Sequence, residues 1–475
     1  MEKKQKNPWI IIGVLVFSAL VATFNETILN VALRIISEDM HTSMANVQWL
    51  ITGYMLVTSV MVPVTAFLYQ SIPTKKLFLG AMLIILVGTA GCLFAPVFPV
   101  LLACRMIQAV GTGMMIPIMM NTVLLVVPKS QIGTAMALCV CGITLGPAFG
   151  PTVSGILVQF FYWKSVFVLL LILLLIAIIA GAIVIENVAP LSKPHLDIFS
   201  VVLSTAGLAA FLYGVSVVMS NVLIGLICII VGVIVLAIFV MRQNKLKEPL
   251  LNFKPFTNMQ FTLGVAMVFI AMLINFSLNA VMPSFLQGAF GVASMASALM
   301  LLPGVLLNAL STNISGKILD KHGVKVMLPV GFAVFSIALF TLSRCNEMTS
   351  LILIVVLHIL IYQGLAFSMS PAQTSALATL TPEMNSHGVA IVNTFMQIAA
   401  SVGSSLFGGI QSVRQASAMA NGAAETSAIA YGFSGTIMAA FVMGVIGIVL
   451  AILYARKENT MRVDDMECNN PNGQF

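Results

Sequence analysis

One carboxylate, Glu26, lies in the middle of an apolar stretch that runs from Trp9 to Ile36. An ionised side chain at bilayer depth costs at least about 2.5–3.5 kcal/mol, so such a group is usually kept for function. Burial disfavours its charged form and a nearby cation favours it, so what occupies the space around Glu26 can decide whether it holds a proton. A proton-coupled carrier requires that property. A static clamp, with Glu26 held by an arginine or by backbone donors to tie two helices together, would use the same residue. Arg105, near the start of another apolar stretch, is the cation expected to act as its electrostatic partner. Asn25, Thr27 and Asn30 place amides and a hydroxyl beside it. Gln108, Asn275, Asn279, Asn308 and Asn393 are further amides within apolar stretches, joined by His358 and Gln363. Taken singly, each fits interhelical hydrogen bonding better than ligand contact. Taken together, Asn25, Asn30, Gln108, Asn275, Asn279, Asn308 and Asn393 are the candidate walls of a substrate cavity. Another stretch carries Gly142, Gly146, Pro147, Gly150, Pro151 and Gly155. Glycines spaced mostly four apart bring one helix face close to its neighbour, and the prolines remove backbone donors and kink it.

The elements that position these residues follow from composition. The 475 residues are 60% hydrophobic and 8% charged, whereas soluble domains carry about 25% charged residues. No water-soluble surface can be built from that. Apolar stretches near 9–36, 46–70, 77–96, 99–126, 131–158, 164–187, 197–218, 221–241, 260–285, 294–316, 325–343, 350–370, 386–410 and 433–455 are each about the length that crosses a bilayer as a helix. The first lacks a small-residue cleavage site and is read as a retained helix. The expected fold is an all-α polytopic membrane protein with fourteen spans. Alternate connectors hold the lysine clusters Lys3, Lys4 and Lys6, Lys75 and Lys76, Lys245 and Lys247, and Lys317, Lys321 and Lys325, together with Lys129, Lys193, Arg242, Lys254, Arg456, Lys457 and Arg462. The other set holds only Lys164, Arg344 and Arg414. That bias places both termini in the cytoplasm. The connector from Arg242 to Met259 separates the eighth stretch from the ninth. The expected organisation is a six-helix half over 1–190, an inserted helix pair with its connector over 191–257, a second six-helix half over 258–458 and a polar cytoplasmic tail over 459–475, disordered from Asp464 onwards.

Several classes are excluded or disfavoured. The net charge of +7 sits in short connectors rather than on one soluble domain, so nucleic acid is not expected as a partner. Cys92, Cys104, Cys139, Cys141 and Cys228 lie within apolar runs and are read as packing residues, with no metal site expected. No Walker phosphate loop, HExxH or acid–His–Ser set is present, which argues against ATP hydrolysis and against a membrane enzyme or sensor. A carrier dedicated to one metabolite, such as a sugar, amino acid or siderophore, stays open, because fold does not fix function.

The run Gly142, Gly146, Pro147, Gly150, Pro151 and Gly155 resembles the antiporter motif in the fifth helix of drug:proton antiporters of the major facilitator superfamily. Arg105, Gln108, Gly111 and Gly113, followed by Pro117, resemble its fourth-helix motif RxxQGxGxG, with Ala109 where glycine is usual. Thr27 to Leu33 resembles the first-helix motif LDxTIVNVAL of the fourteen-helix branch. Gly316, Leu319, Asp320, Lys321 and Gly323 are similar to the gating loop GxLxDRxG. The sequence around Asn25–Asn30 is similar to lincomycin-resistance-type exporters of Gram-positive bacteria. The resemblance implies the major facilitator fold in a 6 + 2 + 6 arrangement, and alternating access that exchanges entering protons for departing lipophilic drugs or antibiotics. It further implies Glu26 as proton carrier with Arg105 beside it, no cofactor beyond the proton gradient, lipid surroundings in a bacterial cell membrane, and a monomer.

This chain departs from the pattern in three places. Asn25 stands at the usual aspartate position and Glu26 follows it, with side chains about 100° apart on a helix. The first-half loop from Ala66 to Leu77 keeps Lys75 and Lys76 but lacks the motif's acid. In the thirteenth stretch, Asn393, Gln397, Ser401 and Gly403 fit, while Met396 replaces an arginine.

Overall fold

Hydrocarbon offers no water to bond backbone N–H and C=O groups, so apolar stretches of this length must satisfy them internally as helices. The computed structural model, which describes residues 7–47, 49–189, 191, 197–219 and 221–468, shows that outcome and contains no strand among those residues. The first half comprises α1 (Pro8–Thr27), the short α2 (Leu33–Asp39) and α3 (Met44–Val47), α4 (Trp49–Ser71), α5 (Thr74–Phe94), α6 (Phe98–Val126), α7 (Ile132–Phe160) and α8 (Ser165–Val184). A hairpin of α9 (Ile198–Val217) and α10 (Val222–Gln243) follows. The second half comprises α11 (Met259–Phe290), α12 (Ser294–His322), α13 (Met327–Leu342), α14 (Leu351–Ala378), α15 (Asn385–Ala420) and α16 (Glu425–Cys468).

Among the described residues, thirteen helices are long and apolar enough to cross a membrane. The stretch expected at 325–343 forms α13, which has 16 residues. At 1.5 Å per residue that is ~24 Å, short of a core about 30 Å thick. The stretch expected as one helix over 9–36 is broken. Regular α1 ends at Thr27, and Ile28–Ala32 close tighter turns, with Asn30 N donating to Thr27 O (3.1 Å) and Ala32 N to Leu29 O (2.9 Å). At the other end, α16 continues to Cys468, so Asp464–Glu467 are helical rather than disordered. Residues 469–475, together with Lys3, Lys4, Lys6 and Lys193, lie outside the described residues.

The inserted hairpin is held by small residues. A Cβ on Gly214 would meet Ile229 N at 2.7 Å, and one on Gly232 would meet Phe211 N at 2.5 Å, so the two helices touch backbone to backbone. At its base Arg242 Nε donates to Asp197 Oδ2 (2.7 Å) and Ser200 Oγ donates to the same oxygen (2.6 Å). Those two donors hold the Asp197 carboxyl down at about 2.

The two halves meet along two seams, α7 against α12 and α4 against α15, and both are sealed at the same end of the bundle. At the first seam Asp320, near the end of α12, accepts from Gly133 N (2.8 Å), Thr134 N (2.9 Å) and Thr134 Oγ1 (2.6 Å) at the start of α7. A carboxylate on free N–H groups at a helix N-terminus is favoured by both hydrogen bonding and the helix dipole. Gly316 makes the approach possible, since a Cβ there would lie 2.6 Å from Gly133 O. At the second seam Gln70 Nε2 donates to Ser386 Oγ (2.9 Å) and meets His387 Nε2 at 3.5 Å.

Asp320→Asn replaces one acceptor oxygen by an NH2 group, which then faces the N–H of Gly133 or of Thr134 as donor against donor. Hydrogen bonds to charged groups contribute about 1.5–3 kcal/mol each, so losing one shifts the sealed-to-unsealed ratio by about tenfold or more. Spin labels at Lys76 and Lys325, on opposite halves at this end, should show a longer-distance population that grows in Asp320→Asn.

Candidate functional site

Among the buried described residues, the only carboxylate is Glu26 and the only guanidinium is Arg105. Arg105 comes from α6 and is fully buried. All five of its N–H donors find acceptors. Nε donates to Leu50 O (3.4 Å), Nη1 to Asn25 Oδ1 (2.7 Å) and Gln108 Oε1 (2.8 Å), and Nη2 to Asn25 O (2.7 Å) and Glu26 O (3.3 Å). Its flat face lies 4.1 Å from the centre of the Tyr54 ring. Asn25 and Gln108 are held in turn, the first donating to Tyr54 Oη (3.0 Å) and the second to Thr89 Oγ1 (2.7 Å); Tyr54 Oη also bonds Thr112 Oγ1 (2.6 Å).

This network explains the break after Thr27. A continuing helix would use the carbonyls of Asn25 and Glu26 for the N–H groups four residues on. Here Arg105 takes those carbonyls, as a cation at the C-terminal end of α1 where the helix dipole favours one. The expected pairing of Arg105 with Glu26 therefore runs through the Glu26 backbone. Among the described residues no hydrogen bond reaches the Glu26 carboxylate, which is turned into a cavity.

That cavity, about 30 Å³, lies between the halves. Thr23, Glu26, Thr144 and Pro147 face it from one side, and Asn275, Asn279, Tyr362, Asn393, Met396 and Gln397 from the other. It forms the floor of a larger cavity of about 450 Å³, with which it shares Pro147, Ala148, Phe276, Asn279 and Val305. The larger one is walled by Thr27 and Asn30, by Ile51, Thr52, Met55 and Leu56 of α4, and by Pro151 and Thr152 of α7. Pro283 of α11, Leu301 of α12 and Ser401, Ser404 and Ser405 of α15 complete most of its lining, which is drawn from the part of the bundle away from the Asp320 seal. A third space of about 10 Å³ holds Asn275, Asn308 and Tyr362. Asn308 Nδ2 donates to Tyr362 O (2.5 Å), Tyr362 Oη to Asn279 Oδ1 (3.3 Å), and Asn393 Nδ2 to Val389 O (2.8 Å).

Of the residues expected on a substrate wall, Asn30, Asn275, Asn279, Asn308 and Asn393 do face these spaces. Asn25 and Gln108 do not; their oxygens are committed to Arg105, which a buried guanidinium demands before any ligand does. In the glycine–proline helix, Gly142, Gly146 and Gly150 lie against α1. A Cβ on Gly142 would meet Val16 O at 3.1 Å, one on Gly146 would meet Phe24 N at 2.7 Å, and one on Gly150 would meet Thr27 Oγ1 at 2.2 Å; around Gly155 nothing lies within 4 Å. Pro151 has no N–H for the carbonyl of Pro147, and the Thr27 hydroxyl donates to that carbonyl instead (3.3 Å). The gating-loop residues divide by role. Gly316 and Asp320 make the seal, Lys321 is exposed, and Gly323 ends α12 with φ +73. Sequence reasoning missed Tyr54, Tyr362, Gln70, Ser386 and His387. A tyrosine or amide inside an apolar run is the only signal, and it does not say which partner it has.

The Major Facilitator Superfamily model matches residues 15–404. The chain is 36% identical over 454 residues to the lincomycin resistance protein LmrB of Listeria innocua, covering 94% of this chain and 96% of that one. It is 33% identical over 461 residues to LmrB of Bacillus subtilis, covering 95% of each. Among solved structures, the human organic anion transporter MFSD10 superposes with a TM-score of 0.65 at 12% identity, covering 93% of this chain and 100% of that one.

Gly146→Ala forces a methyl against α1 backbone and should cost about 1–3 kcal/mol, while Gly155→Ala should be neutral or slightly stabilising. Thermal unfolding in detergent distinguishes the two. Arg105→Lys keeps the charge but has three donors for five acceptors; the carbonyls left bare should cost about 3 kcal/mol, seen as a lowered Tm with no recovery of transport.

Proposed function

The chain belongs to the major facilitator superfamily, and on that premise we propose that it exports lipophilic drugs or antibiotics in exchange for protons, in the fourteen-helix drug:proton antiporter branch of that family. It is a multi-pass membrane transporter rather than an enzyme. One observation carries the proton-coupled reading. The single buried carboxylate, Glu26, lines the floor of an open cavity between the two halves and has no hydrogen bond to fix its charge state among the described residues. A static clamp between the Glu26 carboxylate and Arg105 is disfavoured, because the five Arg105 donors go to Leu50 O, to Asn25, to Gln108 and to the Glu26 backbone carbonyl.

That geometry supports the following cycle. With the Asp320 seal closed, the large cavity faces outwards and its volume suits a drug-sized molecule. A proton reaching Glu26 from outside neutralises the only carboxylate buried among the described residues, which removes the desolvation cost of closing the cavity around it. The halves then rock so that the outer end closes and the seams at Asp320 and Gln70 open. A drug that places an N–H or O–H donor against the Glu26 carboxylate favours its ionised form, the proton leaves to the cytoplasm, and the loaded cavity, with that carboxylate now satisfied by the ligand, turns outwards again. One charge moved inwards across 100 mV supplies about 2.3 kcal/mol, to which a pH gradient adds. Arg105 keeps a fixed positive field beside Glu26 and holds the α1 break rigid while the proton comes and goes.

Membership of the bacterial relatives' family and the lysine bias support a cell-membrane protein with fourteen spans and both termini in the cytoplasm, the short α13 making the fourteenth. The protein is proposed to work as a monomer with no bound cofactor, and with lipids, protons and small lipophilic molecules as its partners.

Proton release from purified protein on adding lincomycin or ethidium, compared between the parent and Glu26→Gln, tests the mechanism. Release that disappears in Glu26→Gln while drug binding persists is the expected result. Release unchanged in Glu26→Gln would remove Glu26 from the coupling site, and no release from the parent would turn the reading towards a carrier dedicated to one metabolite.

A further inference from the structure

We infer that α9, the first helix of the inserted hairpin, is a wall of the substrate cavity, closing the seam between α4 and α15 and presenting Leu212 and Ser216 to the drug. The inference rests on the exporter reading above and extends it to a segment for which hydropathy gives no role beyond crossing the membrane. Of the two seams between the halves, one has α7 against α12 alone, whereas at the other α4 and α15 touch and α9 packs on both of them. Leu212 and Ser216 line the large cavity between the α4 wall, with Met55, and the α15 wall, with Ser404.

The helix is fixed at both flanks. Tyr213 stacks on Trp49 at the start of α4, with ring centroids 5.9 Å apart and planes 16° from parallel. Met219 lies so close to α15 that a Cβ on Gly409 would come within 2.1 Å of its Cγ. Behind α9, most of α10 is exposed and apolar, as a lipid-facing helix must be. At the base, the Asp197–Arg242 pair and Gln243, which accepts from Leu251 N (3.2 Å), tie the hairpin to its connector; Asn252 N in that connector donates to His387 Nδ1 at the sealed end (3.3 Å). A loosely attached insertion would not be anchored at both halves and at both ends. The chemistry offered is modest. Ser216 Oγ donates to Leu212 O (3.0 Å), which leaves its lone pairs free to accept from an N–H or O–H of the ligand beside the apolar Leu212.

Three single cysteines test this in whole cells: Ser216→Cys on α9, Thr52→Cys on the α4 wall, and Ile230→Cys on the exposed face of α10. Each is labelled with a charged, membrane-impermeant methanethiosulfonate, with or without lincomycin or ethidium, and compared with the labelling of the parent. The expected result is labelling of Ser216→Cys and Thr52→Cys at rates within a few-fold of each other. Both should be slowed severalfold by the same ligand, with Ile230→Cys at the parent's background. Labelling and protection of Thr52→Cys without those of Ser216→Cys would overturn the wall while leaving the exporter reading intact. Absence of protection at both positions with both ligands would overturn the two together.

Discussion

A guanidinium held away from water must find an acceptor for every N–H, and the first half of this protein is arranged around that demand. Arg105 draws its acceptors from α1, from Leu50 of α4 and from its own helix. A hydrophobic core alone would let these helices slide, since lipid tails are as apolar as leucine side chains. Five directional bonds and a stacked tyrosine ring do not permit sliding. Because two of the acceptors are backbone carbonyls, the arginine also decides where α1 stops being regular. The break places Thr27 and Asn30 on the large cavity and leaves the Glu26 side chain pointing between the halves. Removing a buried charge's partners is far more damaging than omitting the whole arrangement, so a change at any one acceptor is expected to disturb the others.

The glycine–proline helix completes the same unit from the other side. Close approach of α7 to α1 requires a bare backbone at Gly146 and Gly150, and the carbonyl left without a donor by Pro151 is taken by Thr27, one residue after Glu26. Arg105 and α7 therefore grip α1 at neighbouring positions. Such a grip holds Glu26 rigidly within its half. The cavity floor is completed across the seam by Asn275, Asn279 and Asn393. The proposed proton coupling then has a physical meaning: the charge state of Glu26 would alter the cost of bringing the opposite half against it.

Much of this was legible in the chain. Polytopic helices, the isolated Glu26, the glycine–proline pattern and the Asp320 loop all show in residue type and spacing, because each is a local departure from uniform apolarity. The break at Ile28 was not legible. Nothing in Ile28–Ala32 opposes a helix, and the cause lies on α6, some eighty residues away. The roles of Asn25 and Gln108 were misassigned for a related reason, since an amide inside a span announces a hydrogen bond without naming its partner. The place of α9 was equally hidden. Hydropathy reports that a segment suits lipid, and a helix with one face on lipid and the other on a cavity gives nearly the same signal as one surrounded by lipid.

The sealed end is asymmetric, and that asymmetry bears on how the halves exchange states. One seam is closed by a carboxylate accepting three bonds at the N-terminus of α7; the other by neutral bonds among Gln70, Ser386 and His387. Charge-assisted bonds are roughly twice as strong as neutral ones, so the α7–α12 seam carries most of the resistance to opening. The loop between α4 and α5, Ile72 and Pro73, supplies no acid to this second seam. The weaker seam is also the one backed by α9 and its connector, so at that side an added helix stands where a second carboxylate clasp is lacking.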